Sequence, residues 1–158
     1  MSLKIAVIIL HNAPLAWHSK VEGAHKTVAE DTAANKAQRV ERIEQALQSS
    51  DPDKVLEGKV AKAVEDDVID FNRKVGPNGA TGEVDVETRK AIIEVTTRRT
   101  GKVKQINKLL SNSDMNPSGK PVILFAPNYG HMATKTIPDA GAIVVRTIAE
   151  LLEILSKL

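Results

Sequence analysis

The sequence has 158 residues, 42% of them hydrophobic, which is enough for one compact domain with an ordinary core. Lys and Arg number 22 against 20 for Asp and Glu, so the net charge of +2 does not by itself indicate a polyanionic partner. The absence of cysteine excludes disulfides and thiolate metal sites, so Mg²⁺ or another hard divalent cation is the expected metal. The apolar run from Ile5 to Leu10 is shorter than the ~20 residues of a membrane span, and we expect neither a span nor a signal peptide.

The first predicted helix belongs to an N-terminal extension over residues 1–50. Thr27 with Glu30 three residues later has the spacing of a capping box, which places a helix start there. Apolar residues then recur at helical spacing through an Ala-rich, charged segment that ends near Ser49. We expect an accessory surface helix.

A second helix should open the main domain, which we assign to residues 51–158. Asp51 followed by Pro52 is a helix start signal, because an Asp side chain accepts an unpaired backbone N–H and proline fits the first helical position. Apolar residues at intervals of three and four predict that this helix runs to about Val75.

The rest of the chain predicts a mixed central sheet flanked by helices, an α/β fold. A turn at residues 76–79 is followed by two strand-like runs that form a hairpin. A short amphipathic helix after Gly101 precedes two fully apolar runs of buried-strand type, and a capping box at Thr147 and Glu150 opens the last helix. The predicted strands cover residues 80–87, 90–97, 122–125 and 142–145.

The hairpin carries acidic side chains on both strands; for Asp85 an ordinary solvated strand face is an open alternative, whereas an acid at Glu94 needs a reason. Glu83, Asp85 and Glu87 share one face of the first strand, and Glu94 lies within the apolar run of the second. A turn centred on residues 88 and 89 pairs position 83 with 94 and position 85 with 92. Asp85 and Glu94 then become diagonal neighbours, roughly 7 Å apart at Cβ, which lets both carboxylates reach one ion.

The preceding helix supplies a third acid, Glu57. This residue lies inside the apolar stripe of the helix, whereas Glu65 lies more than a quarter turn from its centre. A carboxylate directed at the core is costly unless it is paired or metal-bound, so Glu57 ranks above Glu65 and Asp66, with Asp67 near the stripe edge as an alternative. Glu57 as an early-turn acid favoured by the helix dipole is an equally open reading.

Three carboxylates, Glu57, Asp85 and Glu94, suit a divalent cation and phosphodiester cleavage, where the ion generates hydroxide and neutralises phosphate charge. Between positions 89 and 108 Glu94 is the only acid, so phosphates would be drawn to the same neighbourhood. The basic residues of this zone are Arg89, Lys90, Arg98, Arg99, Lys102, Lys104 and Lys108.

The stretch GEVDVETRKAIIEVTTRRTGKVK, residues 82–104, resembles the strand hairpin of the PD-(D/E)xK nuclease superfamily, and LEGKV at 56–60 resembles the helical acid motif that precedes it. Asp85 matches the first acid of the hairpin and Glu94 the second. The chain is most similar to the C-terminal nuclease toxin domains of contact-dependent growth inhibition proteins, several of which cleave tRNA. The resemblance implies a nuclease-like fold and a domain cut from a larger secreted surface protein. It also implies delivery into the target-cell cytoplasm and a cognate immunity protein as partner.

One position departs from the superfamily pattern. Where a lysine is expected two residues after Glu94, this chain has Thr96, which we expect to hydrogen-bond the ion's water or the phosphate. In similar toxins a lysine from elsewhere replaces it, and the family often places a Lys and a Gln on the next helix. Lys102 and Gln105 match that habit, and Lys104 points away on the helical wheel. His131 is a further acid or base candidate in a loop.

Three functions remain open from the sequence. The first is an RNA-cleaving toxin, with tRNA favoured and Arg89, Arg98, Arg99, Lys104, Gln105 and Lys108 binding the nucleic acid. The second is a DNA endonuclease of the same superfamily. The third is a non-catalytic nucleic-acid-binding or protein-binding module. The scarcity of aromatic residues for base stacking leaves RNA and DNA undecided.

Overall fold

Five strands and five α-helices make up the part of the chain that the structure, a computed structural model, describes: residues 32–130 and 133–158. The predicted capping box at Thr27 and Glu30 and the candidate His131 lie outside these residues. Residues 33–158 form one compact unit. The elements in chain order are α1 (Ala33–Leu47), α2 (Pro52–Ala63), β1 (Val68–Val75), β2 (Gly82–Thr88), β3 (Ile92–Val95), α3 (Val103–Ser111), β4 (Val122–Phe125), α4 (Ala133–Asp139), β5 (Ile143–Val145) and α5 (Ile148–Lys157).

The sheet is mixed, as the sequence predicted. Its strand order is β1-β2-β3-β4-β5, with antiparallel pairing from β1 to β3 and parallel pairing from β3 to β5. Alternate residues of the central strands enter two separate apolar clusters, one with side chains of α1, α2 and α5 and the other with side chains of α3 and α4. The helices therefore flank the sheet on its two faces.

Helix α2 begins as predicted but ends twelve residues before the predicted end. The Asp51 side chain accepts the backbone N–H of Asp53 at 2.9 Å, and Pro52 takes the first helical position. The helix stops at Ala63, and a 3₁₀ turn at Glu65–Asp67 leads into β1. The prediction of a helix as far as Val75 is therefore wrong.

The physical reason for this error is an irregularity in β1. The register with β2 shifts between Val68 and Asp70, so Val68 and Phe71, three residues apart, enter the same apolar cluster from a strand. Farther along, Asn72 adopts a φ of 51°, in the left-handed region. These two features give a strand the three-residue spacing that is typical of a helix.

The β2–β3 hairpin has a register different from the predicted one. Val86 lies opposite Ile93 and Glu87 opposite Ile92, and the turn centres between Arg89 and Lys90. The predicted pairing of position 85 with 92 is therefore wrong by two residues. Carried one residue beyond Val86, the observed register sets Asp85 directly against Glu94 and not diagonal to it. The shift is an even number, so the two acids keep the common face that the sequence analysis required.

The remaining elements follow the sequence closely, apart from one helix. Strand β4 has the predicted bounds, β5 differs by one residue, and Thr147 and Glu150 form the capping box of α5. Helix α4 has no counterpart among the predicted elements: among its described side chains only Ile137 is buried, and Pro138 cannot donate a helical hydrogen bond, so the segment lacks the apolar pattern of a helix. Within residues 32–130 and 133–158, no helix has the length and apolar character needed to cross a bilayer.

Candidate active site

The ladder between β2 and β3 ends one residue before it reaches Asp85. Their ladder pairs Glu87 with Ile92 and Val86 with Ile93 and goes no further. Beyond that point the Asp85 carboxylate, through Oδ2, accepts the backbone N–H of Val95 at 2.7 Å in place of a strand carbonyl. Asp85 is only 7% exposed. The Asp85 side chain therefore supplies an acceptor for a β3 backbone N–H beyond the end of the ladder.

Glu94, on β3, is the most buried acid of the site, with 2% of its surface exposed. Its Oε1 accepts a hydrogen bond from Lys102 Nζ at 2.6 Å, and Lys102 precedes α3. Its other oxygen, Oε2, is buried and has no hydrogen-bond partner among the described residues. A buried carboxylate oxygen without a partner is costly, and a bound cation would remove that cost.

Helix α2 contributes Glu57 to the same region, where it meets Glu83 of β2. Both acids contact the ammonium group of Lys54, which lies 2.8 Å from Glu57 Oε2 and 2.7 Å from Glu83 Oε1. Glu57 is 5% exposed and Glu83 is partly exposed. The Lys54 ammonium group thus links the acid of the helix to the acid of the strand.

Asn72 of β1 completes this network. With its amide nitrogen facing the carboxylates, the orientation that satisfies both amide atoms, it donates to Glu57 Oε2 at 2.8 Å and to Glu83 Oε1 at 3.2 Å. Its φ of 51° is tolerated better by asparagine than by most side chains. A strained residue in the middle of a strand, with its side chain on buried acids, is typical of a functional site.

The acid cluster meets the geometric requirement for a cation. Glu57, Glu83 and Asp85 each offer a carboxylate oxygen, and these oxygens lie within 4.8 Å of one another. All are hard oxygen donors, which suit Mg²⁺ and similar ions. Glu94 Oε2, which has no partner among the described residues, is a second observation that points to a bound cation. The residues present therefore fit a divalent cation.

Burial raises the pKa of all three predicted metal-binding acids. The pKa of Asp85 lies well above its ordinary value because the group is buried and because the charges of Glu94 and Glu57 oppose its ionisation. The pKa of Glu94 is raised by burial, although the Lys102 ammonium and the Gln105 amide favour its charged form. The pKa of Glu57 is raised by burial too, against the effect of Lys54. Such repulsion is relieved when a cation binds.

Both lysines of the site are held in their charged form. Burial lowers the pKa of Lys102, but the charge and the hydrogen bond of Glu94 more than offset it, so the net pKa is raised. Burial also lowers the pKa of Lys54, but its contacts with Glu57 and Glu83 more than offset this and raise the net pKa above the ordinary value. Each therefore carries a positive charge at neutral pH.

The loop after β3 is ordered by two further polar contacts. Thr96 is 1% exposed, and its Oγ1 accepts the backbone N–H of Arg98 at 3.1 Å. Asp53, at the start of α2, accepts the backbone N–H and the hydroxyl of Thr97 at 2.8 and 2.7 Å, which lowers the pKa of Asp53. These bonds fix the segment that joins the acids to Lys102.

The basic zone is divided between the two ends of β3. Arg89 lies in the hairpin turn, where it pairs with Asp67 at 3.0 Å. Arg98, Arg99 and Lys104 are exposed at the other end, and these three make no ion pair with a described residue. Arg98 and Arg99 follow the end of β3, which carries Glu94, and Lys104 lies in the first turn of α3.

Two other predicted contacts lie on α3. Gln105 Nε2 donates to the Glu83 carbonyl at 3.3 Å, which places the amide beside the acids. Lys108 is half-buried, and its Nζ lies 3.6 Å from the position that a Cβ would take on Gly82. The structure thus brings Glu57, Asp85, Glu94, Lys102 and Gln105 into one region.

Sequence reasoning missed Glu83, Lys54 and Asn72. A signal existed for Glu83, which shares a strand face with Asp85, and for Lys54, which lies three residues before Glu57 on one helix. Asn72 had no such signal, since it fell in a segment predicted to be helical. The weaker acid candidates have partners elsewhere: Glu65 pairs with Lys62, and Asp67 with Arg89.

No protein-family model, curated protein or solved structure matches this chain.

Proposed function

We propose that this chain is a divalent-cation-dependent endonuclease that cleaves RNA, with tRNA as the favoured substrate, and that it acts as a toxin domain in contact-dependent growth inhibition. The observation that carries the nuclease proposal is the burial of Asp85 and Glu94 together, with Glu94 Oε2 left without a partner. Of these two buried carboxylates only Glu94 pairs with a cation of the described residues, Lys102, and a divalent cation would remove the remaining cost of burying both charges.

Asp85, Glu94 and Glu57 are the residues that would hold the ion, with Glu83 as a fourth acid. A bound divalent cation supplies a more acidic water and neutralises charge that develops on a phosphate. Lys102 has its ammonium group on Glu94 and donates to a phosphate oxygen that enters the site. Gln105 and the buried Thr96 position the groups around it.

The substrate class follows from the charges around the acids. Arg98, Arg99, Lys104 and Lys108 follow the acid-bearing strand and attract a phosphate backbone. The preference for tRNA, the toxin role and a cognate immunity protein that covers this basic surface come from the resemblance of residues 82–104 to nuclease toxins. Arg89, tied to Asp67 at the far end of β3, has a smaller part in this proposal.

The test is cleavage of total tRNA and of plasmid DNA, each with Mg²⁺ and with EDTA. We expect EDTA-sensitive cleavage of tRNA only. Cleavage of plasmid alone would assign the chain to the DNA endonucleases, and cleavage of neither substrate would contradict the enzyme proposal and favour a binding module.

The matched variant is Asp85→Asn, which keeps an oxygen for the Val95 N–H and removes the charge. Activity should fall by about a hundredfold or more, because even outer partners of metal ligands are worth roughly 10 to 100-fold. Glu153→Gln is the control, since this acid is exposed and pairs only with Lys157 on α5 among the described residues. Full activity in Asp85→Asn would remove Asp85 from the site.

A further inference from the structure

Lys54 binds one carboxylate oxygen of each of two acids in the cluster, Glu57 and Glu83. Its ammonium group contacts Glu57 Oε2 and Glu83 Oε1, and Asn72 donates to the same two oxygens. A carboxylate oxygen has about two lone pairs, so both oxygens are already fully used by the protein's own donors. A divalent cation that binds through either of these atoms therefore has to compete with Lys54.

A lysine at position 54 stabilises the acids of the cluster, but it does not stabilise helix α2. The residue lies in the first turn, where the helix dipole disfavours a positive charge. Its side chain is 35% exposed, so it can turn into solvent without crossing the core. The side chain of Glu57 beneath it is buried and has no such freedom.

From this geometry we infer that Lys54 is a positioning residue that holds Glu57 and Glu83 in the cation-free protein and is displaced from them when a divalent cation binds. The ammonium group thus serves as an exchangeable counter-ion, which keeps the buried acids from repelling one another before the ion arrives. The same contact lowers the affinity of the site for the ion, because Lys54 must leave first. This inference rests on the proposed cation site.

The variant that tests the inference is Lys54→Met, which keeps the length of the side chain and removes the competing charge. We expect its Mn²⁺ affinity, measured by isothermal titration calorimetry, to be about tenfold tighter or more, given the strength of a unit charge within about 4 Å of a cation site. Without metal we expect it to melt at a lower temperature than the wild type at neutral pH, since Glu57 loses its partner.

Lys62→Met is the matched control. Lys62 lies on the same helix and pairs with Glu44 at 3.0 Å and with Glu65 at 2.8 Å, so it bridges acids outside the cluster. Its removal should leave Mn²⁺ affinity unchanged. An equal gain in both variants would show a general effect of net charge and would overturn the inference.

The outcomes separate the inference from the proposed function. Tighter binding in Lys54→Met alone supports the inference. Equal or weaker binding in Lys54→Met, with wild-type binding intact, overturns it and leaves the cation site standing. No Mn²⁺ binding by any of the three proteins overturns the proposed function and the inference with it.

A measurement on the wild type keeps the test independent of how well the variant folds. The NMR signals of the Lys54 side-chain methylenes report its contacts, and Mg²⁺ is diamagnetic. We expect saturating Mg²⁺ to move the Lys54 Cε signals to the position of a freely rotating lysine. A Lys54 signal that stays in place while calorimetry shows Mg²⁺ bound would overturn the displacement.

Discussion

At the scale of single residues, the site is built by side chains that replace ordinary structural partners. Asp85 takes the place of a strand carbonyl at Val95, and Lys102 and Lys54 supply the positive charges that buried acids require. Asn72 adds an amide from a backbone conformation that few residues adopt. Each of these positions lowers the stability of the fold locally, and together they bring the acids close to one another.

The left-handed conformation of Asn72 leads to a prediction about stability. Asn72→Ala and Asn72→Gly both remove the amide, but only alanine is strained at a φ of 51°. We expect Asn72→Ala to unfold more easily than Asn72→Gly in urea, by about 1 kcal/mol in the free energy of unfolding.

The control for Asn72 is the same pair of substitutions at Asn107, which is exposed in the middle of α3. There the order should reverse, because glycine is less favourable than alanine in a helix by about 1 kcal/mol. If alanine were the more stable substitution at position 72 as well, Asn72 would not be held in the left-handed region.

At the scale of elements, the sequence predicted those whose pattern is purely local. Strand β4 and the capping box of α5 depend on a few neighbouring residues, and both appear as predicted. Strand β1 did not, because the bulge after Val68 gives its buried residues a helical spacing. A bulge is set by pairing with a partner strand, so a sequence window cannot reveal it.

The candidate site was predictable to the extent that acids in apolar surroundings are conspicuous. Glu94 and Glu57 each interrupt an apolar pattern, and both are buried in the structure. The residues that join them were not predictable, because Lys54 and Glu83 meet across a helix and a strand 29 positions apart. That contact follows from the packing of α2 against the hairpin, and it is not visible in the spacing of charges.

At the scale of the whole molecule, the buried acids make stability depend on pH. The pKa values of Asp85, Glu94 and Glu57 are raised in the folded protein, while the unfolded chain keeps ordinary values near about 4. Between the ordinary and the raised pKa, the folded protein binds more protons than the unfolded chain. The free energy of unfolding therefore falls as pH rises through this window.

Metal-free protein should accordingly lose thermal stability from about pH 5 upward, and Asp85→Asn should lose less. Asp53 and Glu153, whose pKa values are lowered, make the free energy of unfolding rise with pH. Their effect falls below about pH 4 and so outside the range from about pH 5 upward. The measurement is the melting temperature of the wild type and of Asp85→Asn in EDTA, from about pH 5 upward. Equal pH dependence in the wild type and in Asp85→Asn would contradict the assignment of a raised pKa to Asp85.

The most direct test of the central claim, that Asp85 and Glu94 share one divalent cation, is the anomalous scattering of Mn²⁺ soaked into crystals of the protein. The expected position is beside Asp85 and the unpartnered Glu94 Oε2, beyond the end of the β2–β3 ladder. We predict one strong peak in contact with oxygens of both acids. A peak that touches neither acid, or crystals with no bound ion at millimolar Mn²⁺, would contradict the account.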